Sequence, residues 1–295
     1  MFKHYRLVFL LTAAALAFTI VPSCKADKTQ NGKLSIFVSI PPQKYFVDRV
    51  GGPFVETRVL ISPGQSPHTF TPSPRQIAEL SQAKLFFITG VPFETAVVKK
   101  VAEQNQNLDI VDMASGIPHE PMGPDPHDPF HVEGELDPHV WMNPKNAVLM
   151  ARNTAETLAG KDPAHKKEYM QNRDALIADL EALDRKIATL LAPYKGERFY
   201  VYHPAFGYFG QAYGLEQVAV ETGGKEPTAK RLNSLIKQAR GERVRIIFVQ
   251  PQFSQKSADR VAAEINGTVT PIDALAEDYI ANMEHIADAL KQGLE

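Results

Sequence analysis

Residues 163–191 read PAHKKEYMQNRDALIADLEALDRKIATLL, and this stretch decides the fold. Pro163 suits a first helical position, where its missing N–H is no loss. Leu176, Leu180, Leu183, Ile187 and Leu190 then recur at spacings of 4, 3, 4 and 3, an apolar seam along one side of a long helix. At ~1.5 Å per residue such a helix spans roughly 40 Å, the diameter of a small domain or more. One strand of a coiled-coil dimer is the competing reading, but a seam of about two heptads falls short of that signature. A rigid spine between two folded halves fits better, because the same kind of pattern lies on both of its flanks.

Before the spine, short apolar runs at 34–40, 55–60, 85–89 and 108–111 read as strands. Helical segments separate or follow them. One starts at Pro41-Pro42 with Tyr45, Phe46 and Val50 on its apolar face. A second starts at Pro74, with Ser73 as N-cap, and others cover 93–104 and Pro144 to about Leu158. After the spine the strands are 199–203, 217–220, 244–249 and 268–272, with helices at 205–213, 228–240, 254–265 and beyond Leu275. Such alternation implies parallel sheets with right-handed crossovers. The expected fold is α/β: two parallel-sheet lobes of about four β/α units each, joined by one long helix. The expected boundaries are a signal peptide at 1–23, a tether at 24–32, an N-terminal lobe at 33–160, the linking helix at 161–192 and a C-terminal lobe at 193–295. Residues 114–138, with six prolines, read as a long surface loop.

Composition is that of an ordinary globular protein, 44% apolar and 22% charged over 295 residues. The first residues have the layout of an export signal: Lys3, His4 and Arg6, then an uncharged apolar run from Leu7 to Val21. Val21-Pro22-Ser23-Cys24 resembles a lipobox, with Cys24 as the lipid-bearing residue at the membrane; a cut after Ala26 is the alternative. The chain is thus expected in the periplasm or at the cell surface. Cys24 is the only cysteine, so no internal disulfide staples the fold. Without residues 1–23 the chain carries 30 basic against 34 acidic residues, a net of −4 that offers no basic surface for nucleic acid.

Four metal-competent side chains fall at or just beyond strand ends: His68, His139, His203 and Asp273. In open α/β folds, ligands bind outside the carboxyl ends of strands. Three imidazoles and one carboxylate suit a borderline divalent ion, zinc above all, with manganese or iron as alternatives. Taken singly, each residue has an ordinary reading: a solvated loop histidine for His68 and His139, a hydrogen-bonded core histidine for His203, a helix N-cap for Asp273. Their spacings are too long for a zinc-finger signature, so the signal is topological. A catalytic zinc with three ligands and an open water position is the enzymatic alternative. The chain has no His-Glu-x-x-His and no Gly-x-Ser-x-Gly to support it, so a non-enzyme is expected.

Longer motifs carry a family resemblance. Gly64-Gln65-Ser66-Pro67-His68-Thr69-Phe70-Thr71-Pro72-Ser73-Pro74, Asp137-Pro138-His139-Val140-Trp141-Met142-Asn143-Pro144 and His203-Pro204-Ala205-Phe206-Gly207-Tyr208-Phe209 resemble the ligand loops of the ZnuA/TroA-like family, the zinc/manganese solute-binding proteins of bacterial ABC transporters. Glu226-Pro227, Gln250-Pro251-Gln252-Phe253-Ser254 and Pro271-Ile272-Asp273-Ala274-Leu275 match its later landmarks, and the likeness covers nearly all of 33–295. The resemblance implies two lobes on one long helix and a metal in the interlobe cleft held by His68, His139, His203 and Asp273. It also implies a monomeric binding protein that hands its ion to a membrane permease. A metal-dependent adhesin of the same fold is a variant of that reading. Ser66, Thr71, Pro204 and Ala274 depart from common family residues. His203 stands where manganese-favouring members often carry Glu, which points to zinc. His119, His127 and His131 are candidates for an auxiliary metal-collecting loop.

Overall fold

A computed structural model of the chain describes residues 32–122, 136–221, 227–253 and 255–295. The export segment, Cys24 and nearly all of the expected tether lie outside the described residues, as do His127 and His131.

The first sheet comprises β1 (Leu34–Val38), β2 (Val55–Val59), β3 (Leu85–Ile88) and β4 (Asp109–Asp112), in the order β2-β1-β3-β4. The second comprises β5 (Arg198–Val201), β6 (Glu216–Ala219), β7 (Ile246–Val249) and β8 (Thr268–Pro271), in the order β6-β5-β7-β8. Every pairing is parallel. The two sheets thus share one topology. In each, the strand order reverses beside the first strand, where a crevice opens at the carboxyl ends.

Local chemistry explains the flanking helices. In α1 (Pro41–Gly51) the prolines occupy the first turn, and the Gln43 side chain accepts the Ser39 and Ile40 N–H groups at 2.9 and 3.1 Å. In α2 (Pro74–Leu80), Ser73 and Gln76 form a reciprocal capping box. α3 (Glu94–Gln104) and α4 (Pro144–Lys161) complete the first lobe. The spine is α5 (Lys166–Leu191), entered through a 3-10 turn at Pro163–His165. The second lobe adds α6 (Gly207–Tyr213), α7 (Ala229–Gly241), α8 (Gln255–Glu264) and α9 (Tyr279–Leu294).

The spine buries Tyr169, Leu176, Ile177, Leu180, Leu183, Ile187 and Leu191 against α1 and α4 on one side and α9 and α6 on the other. Leu190, expected in the seam, is only half-buried, and Leu191 takes its place. A straight α-helix drifts about 20° per heptad from a 3.5-residue repeat, so the last member of the seam rotates to the stripe's edge. One continuous apolar core runs from the first sheet through the spine to one face of the second; a separate core lies under α7 and α8 on the other face.

The stretch read as a surface loop is partly folded in. Ala114, Ile117 and Met122 are buried, and a Pro121–Leu136 bridge joins two points within it. The lobes are also latched beside the crevice. Trp141 Nε1 donates to Ala274 O at 2.7 Å, Tyr279 OH donates to Trp141 O at 2.6 Å, and Lys44 pairs with Glu277 at 2.7 Å.

Candidate metal centre

Three loops bring three imidazoles to one point. His68 sits after β2 in a loop tightened by backbone bonds from Thr69 and Phe70 to Ser66 O and by His68 N–H to Ser66 Oγ at 3.3 Å. Ser66, a departure from the family's usual residue, therefore shapes the loop without charge. His139 follows the long connection after β4, and its N–H donates to Asp137 Oδ1 at 2.8 Å. His203 lies two residues beyond β5, at the strand-order reversal. There the Gln250 side chain, beyond the neighbouring β7, accepts its N–H at 3.0 Å and donates to its carbonyl at 2.9 Å.

The rings present their Nε2 atoms to one another: His68 to His203 at 3.1 Å and His203 to His139 at 3.4 Å, with all three ligand atoms within 4.8 Å. Two nitrogens on one tetrahedral zinc, at ~2.0–2.1 Å each, stand roughly 3.3–3.4 Å apart. His139 is 5% and His203 3% exposed, while His68 is half-buried and forms the open side.

The opposite ring nitrogens settle the tautomers of His139 and His203. His139 Nδ1 donates to Asp137 at 2.7 Å, and His203 Nδ1 donates to Glu221 in a short contact. Each such bond leaves Nε2 as an unprotonated acceptor and raises its basicity toward a metal. Burial, then the charge of neighbouring His139, lowers the His68 pKa to about 4. Burial, then His139 and His68, holds His203 well below the usual histidine range. The Nε2 lone pairs of His139 and His203 converge at 3.4 Å, where a cation between them relieves their repulsion, while a His68 Nε2–H can donate to His203 Nε2 at 3.1 Å until an ion replaces that proton. Space for Asp137 depends on Gly207: a Cβ there would come within 2.8 Å of Asp137 Oδ2.

Asp273 follows β8 as expected, yet its carboxylate is not part of the tight group. Oδ1 accepts from Gln252 Nε2 and from Leu275 N–H, both at 2.8 Å; the helix N-cap expected as its ordinary role falls instead to Asp278, which opens α9. His119 is exposed, lies beside Gly90 and is not part of the tight group. From sequence, the supporting residues Asp137, Gln250 and Phe253 stood only inside the motifs, without a role, and Glu221 was not singled out at all. The available signals were an acid two residues before His139 and an acid two residues beyond the carboxyl end of β6, placed like the ligands themselves. Phe253 stacks on the His203 ring, with centroids 4.5 Å apart and planes at 20°.

Two α/β lobes fixed on a spine helix, with a nitrogen-rich donor cluster between them, define the architecture of a two-lobed binding protein for a small inorganic ligand. The chain belongs to the family described as "Zinc-uptake complex component A periplasmic", whose model matches residues 36–293. It is 30% identical over 305 residues to the zinc-binding lipoprotein AdcA of Streptococcus pneumoniae serotype 4, covering 97% of this chain but spanning only 60% of that protein. It is 28% identical over 318 residues to the high-affinity zinc uptake system protein ZnuA of Bacillus subtilis strain 168, covering 100% of this chain and 99% of that one. A crystal structure of ZnuA superposes with a TM-score of 0.83 at 34% identity, over 89% of this chain and 100% of the other.

Proposed function

We propose that this protein captures Zn2+ outside the cytoplasm and delivers it to the membrane permease of an ABC transporter, anchored to the membrane through a lipid on Cys24. The observation that carries the reading is the convergence of three buried or half-buried Nε2 atoms at 3.1 and 3.4 Å. His68, His139 and His203 are the first three ligands, and Asp273 swings in as the fourth. Imidazole nitrogen outnumbers oxygen in that set, which favours zinc over manganese or iron. The names of the full-length ZnuA and of the longer AdcA relatives support zinc as cargo and uptake as the process. The carboxylates behind His139 and His203 hold both Nε2 lone pairs toward the ion, which supports tight capture.

Metal analysis of protein from its native host, together with competition titration of the metal-free protein, tests the proposal. One zinc per chain is expected, with tight binding abolished by His139→Ala. Wild-type stoichiometry and affinity in that variant would sink the assignment. A triad with Asp273 outside it also has the donor count of a hydrolytic zinc. A hydrolysis screen on the zinc-loaded protein separates that reading, and no turnover is expected.

A further inference from the structure

The four residues after β7 touch both donors that the second lobe offers. Gln250 clamps the peptide of His203, Phe253 stacks on its ring, and between them Gln252 Nε2 donates to Asp273 Oδ1 at 2.8 Å. Asp273 therefore stands outside the imidazole group with one oxygen already shared between Gln252 and the Leu275 N–H. Its main chain is pinned. The Asp273 carbonyl accepts from Asn282 Nδ2 at 2.6 Å, and the next carbonyl, Ala274, accepts from Trp141 Nε1 at 2.7 Å. Rotation of the Asp273 side chain can then change its partners while its main chain stays bonded.

We propose that Gln252 competes with the bound divalent cation for the Asp273 carboxylate, and so sets how tightly the metal is held and how fast it leaves. The proposal rests on the metal-capture reading above. With the ion bound, the carboxylate turns away from the Gln252 amide and completes the first shell. On release, the amide recaptures it and withdraws the fourth ligand. A neutral amide suits such an exchange. Its hydrogen bond to a carboxylate is strong enough to bias the side chain, yet too weak to hold it against a divalent ion. The exchange also ties the ion's presence to the 250–253 loop, whose Phe253 and Gln250 already hold His203, so one segment senses both ligands.

Gln252→Met keeps the length of the side chain and removes its donor. Zinc affinity by chelator competition is expected to rise about tenfold, the value of one hydrogen bond to a charged group. Zinc release into excess chelator should slow correspondingly. Gln252→Asn, which shortens the donor's reach, should move both quantities the same way by a smaller factor. In an Asp273→Ala background, Gln252→Met should change neither. The proposal is overturned if a folded Gln252→Met variant binds zinc with unchanged or weaker affinity, or if its full effect persists without Asp273. His139→Ala serves as the separate check: if it abolishes tight zinc while Gln252→Met does nothing, metal capture stands and the role of Gln252 falls. If His139→Ala leaves zinc bound, both fall.

Discussion

Glu221 offers the most discriminating single substitution. It is 1% exposed and receives the Nδ1–H of His203, itself nearly as buried, so little water screens the contact. Glu221→Gln keeps an acceptor oxygen for that N–H and therefore keeps the tautomer, but removes the charge. Hydrogen bonds to charged groups contribute about 1.5–3 kcal/mol against about 0.5–1.5 for neutral ones. The difference of roughly 1–1.5 kcal/mol corresponds to about tenfold weaker zinc binding. Glu221→Leu removes the acceptor as well. It should reach the upper end of the ~10–100-fold loss typical of residues that back a metal ligand. It should also destabilise the metal-free protein by about 1–3 kcal/mol, because a buried N–H is left unpaired. Zinc affinities from competition with a chromophoric chelator, paired with urea unfolding of the metal-free proteins, resolve the two effects. Equal affinities for wild type, the Gln and the Leu variants, in folded protein, would refute the claim that Glu221 tunes the site.

Four further outcomes follow from the same geometry. With the His68 pKa at about 4 and that of His203 also depressed, the unfolded chain takes up protons below its ordinary ~6.5 that the folded chain refuses. Metal-free stability contributed by these rings is intact above pH ~6.5 and falls as pH drops toward 4, which urea midpoints across that window would register; a midpoint that rises on acidification contradicts it. Replacing residues 123–135 by a short Gly/Ser linker should leave one tight zinc, because the Pro121–Leu136 bridge already holds the two ends together; loss of that zinc in a folded protein would mean a ligand lies within the replaced segment. Leu180 is fully buried in the spine, so Leu180→Ala should lower unfolding free energy by about 2–5 kcal/mol, and a loss under 1 kcal/mol would show that the spine is not the shared core. Solution scattering of metal-free and zinc-loaded protein should differ little, since the Trp141–Ala274 and Tyr279–Trp141 bonds latch the lobes beside the site; a wide opening on metal removal would break that reading.

The pattern of elements was legible in the sequence because each is specified by neighbours in the chain. Alternating apolar runs, prolines in first helical turns and Ser73 as an N-cap all act over a few residues, and all reappear in the structure. Errors stayed local and have local causes. Leu191 replaced Leu190 through helical drift, and within the otherwise exposed start of the 114–138 loop Ala114, Ile117 and Met122 turn inward. The approach of His68, His139 and His203 was also foreseeable, since parallel sheets deliver their carboxyl ends to one side.

By itself the sequence determined two β/α series on a helical spine and three histidines aimed at one crevice. Those properties follow from periodicity, capping and the direction of parallel strands. Only the tertiary structure decided which carboxylates back the rings, which way Asp273 points and what latches the lobes. These contacts join residues far apart in the chain: 18 positions from His203 to Glu221, 47 to Gln250, 133 from Trp141 to Ala274. Each contributes only a few kcal/mol at most and leaves no periodic trace in composition. Their geometry exists only once the spine has brought both sheets to a common edge.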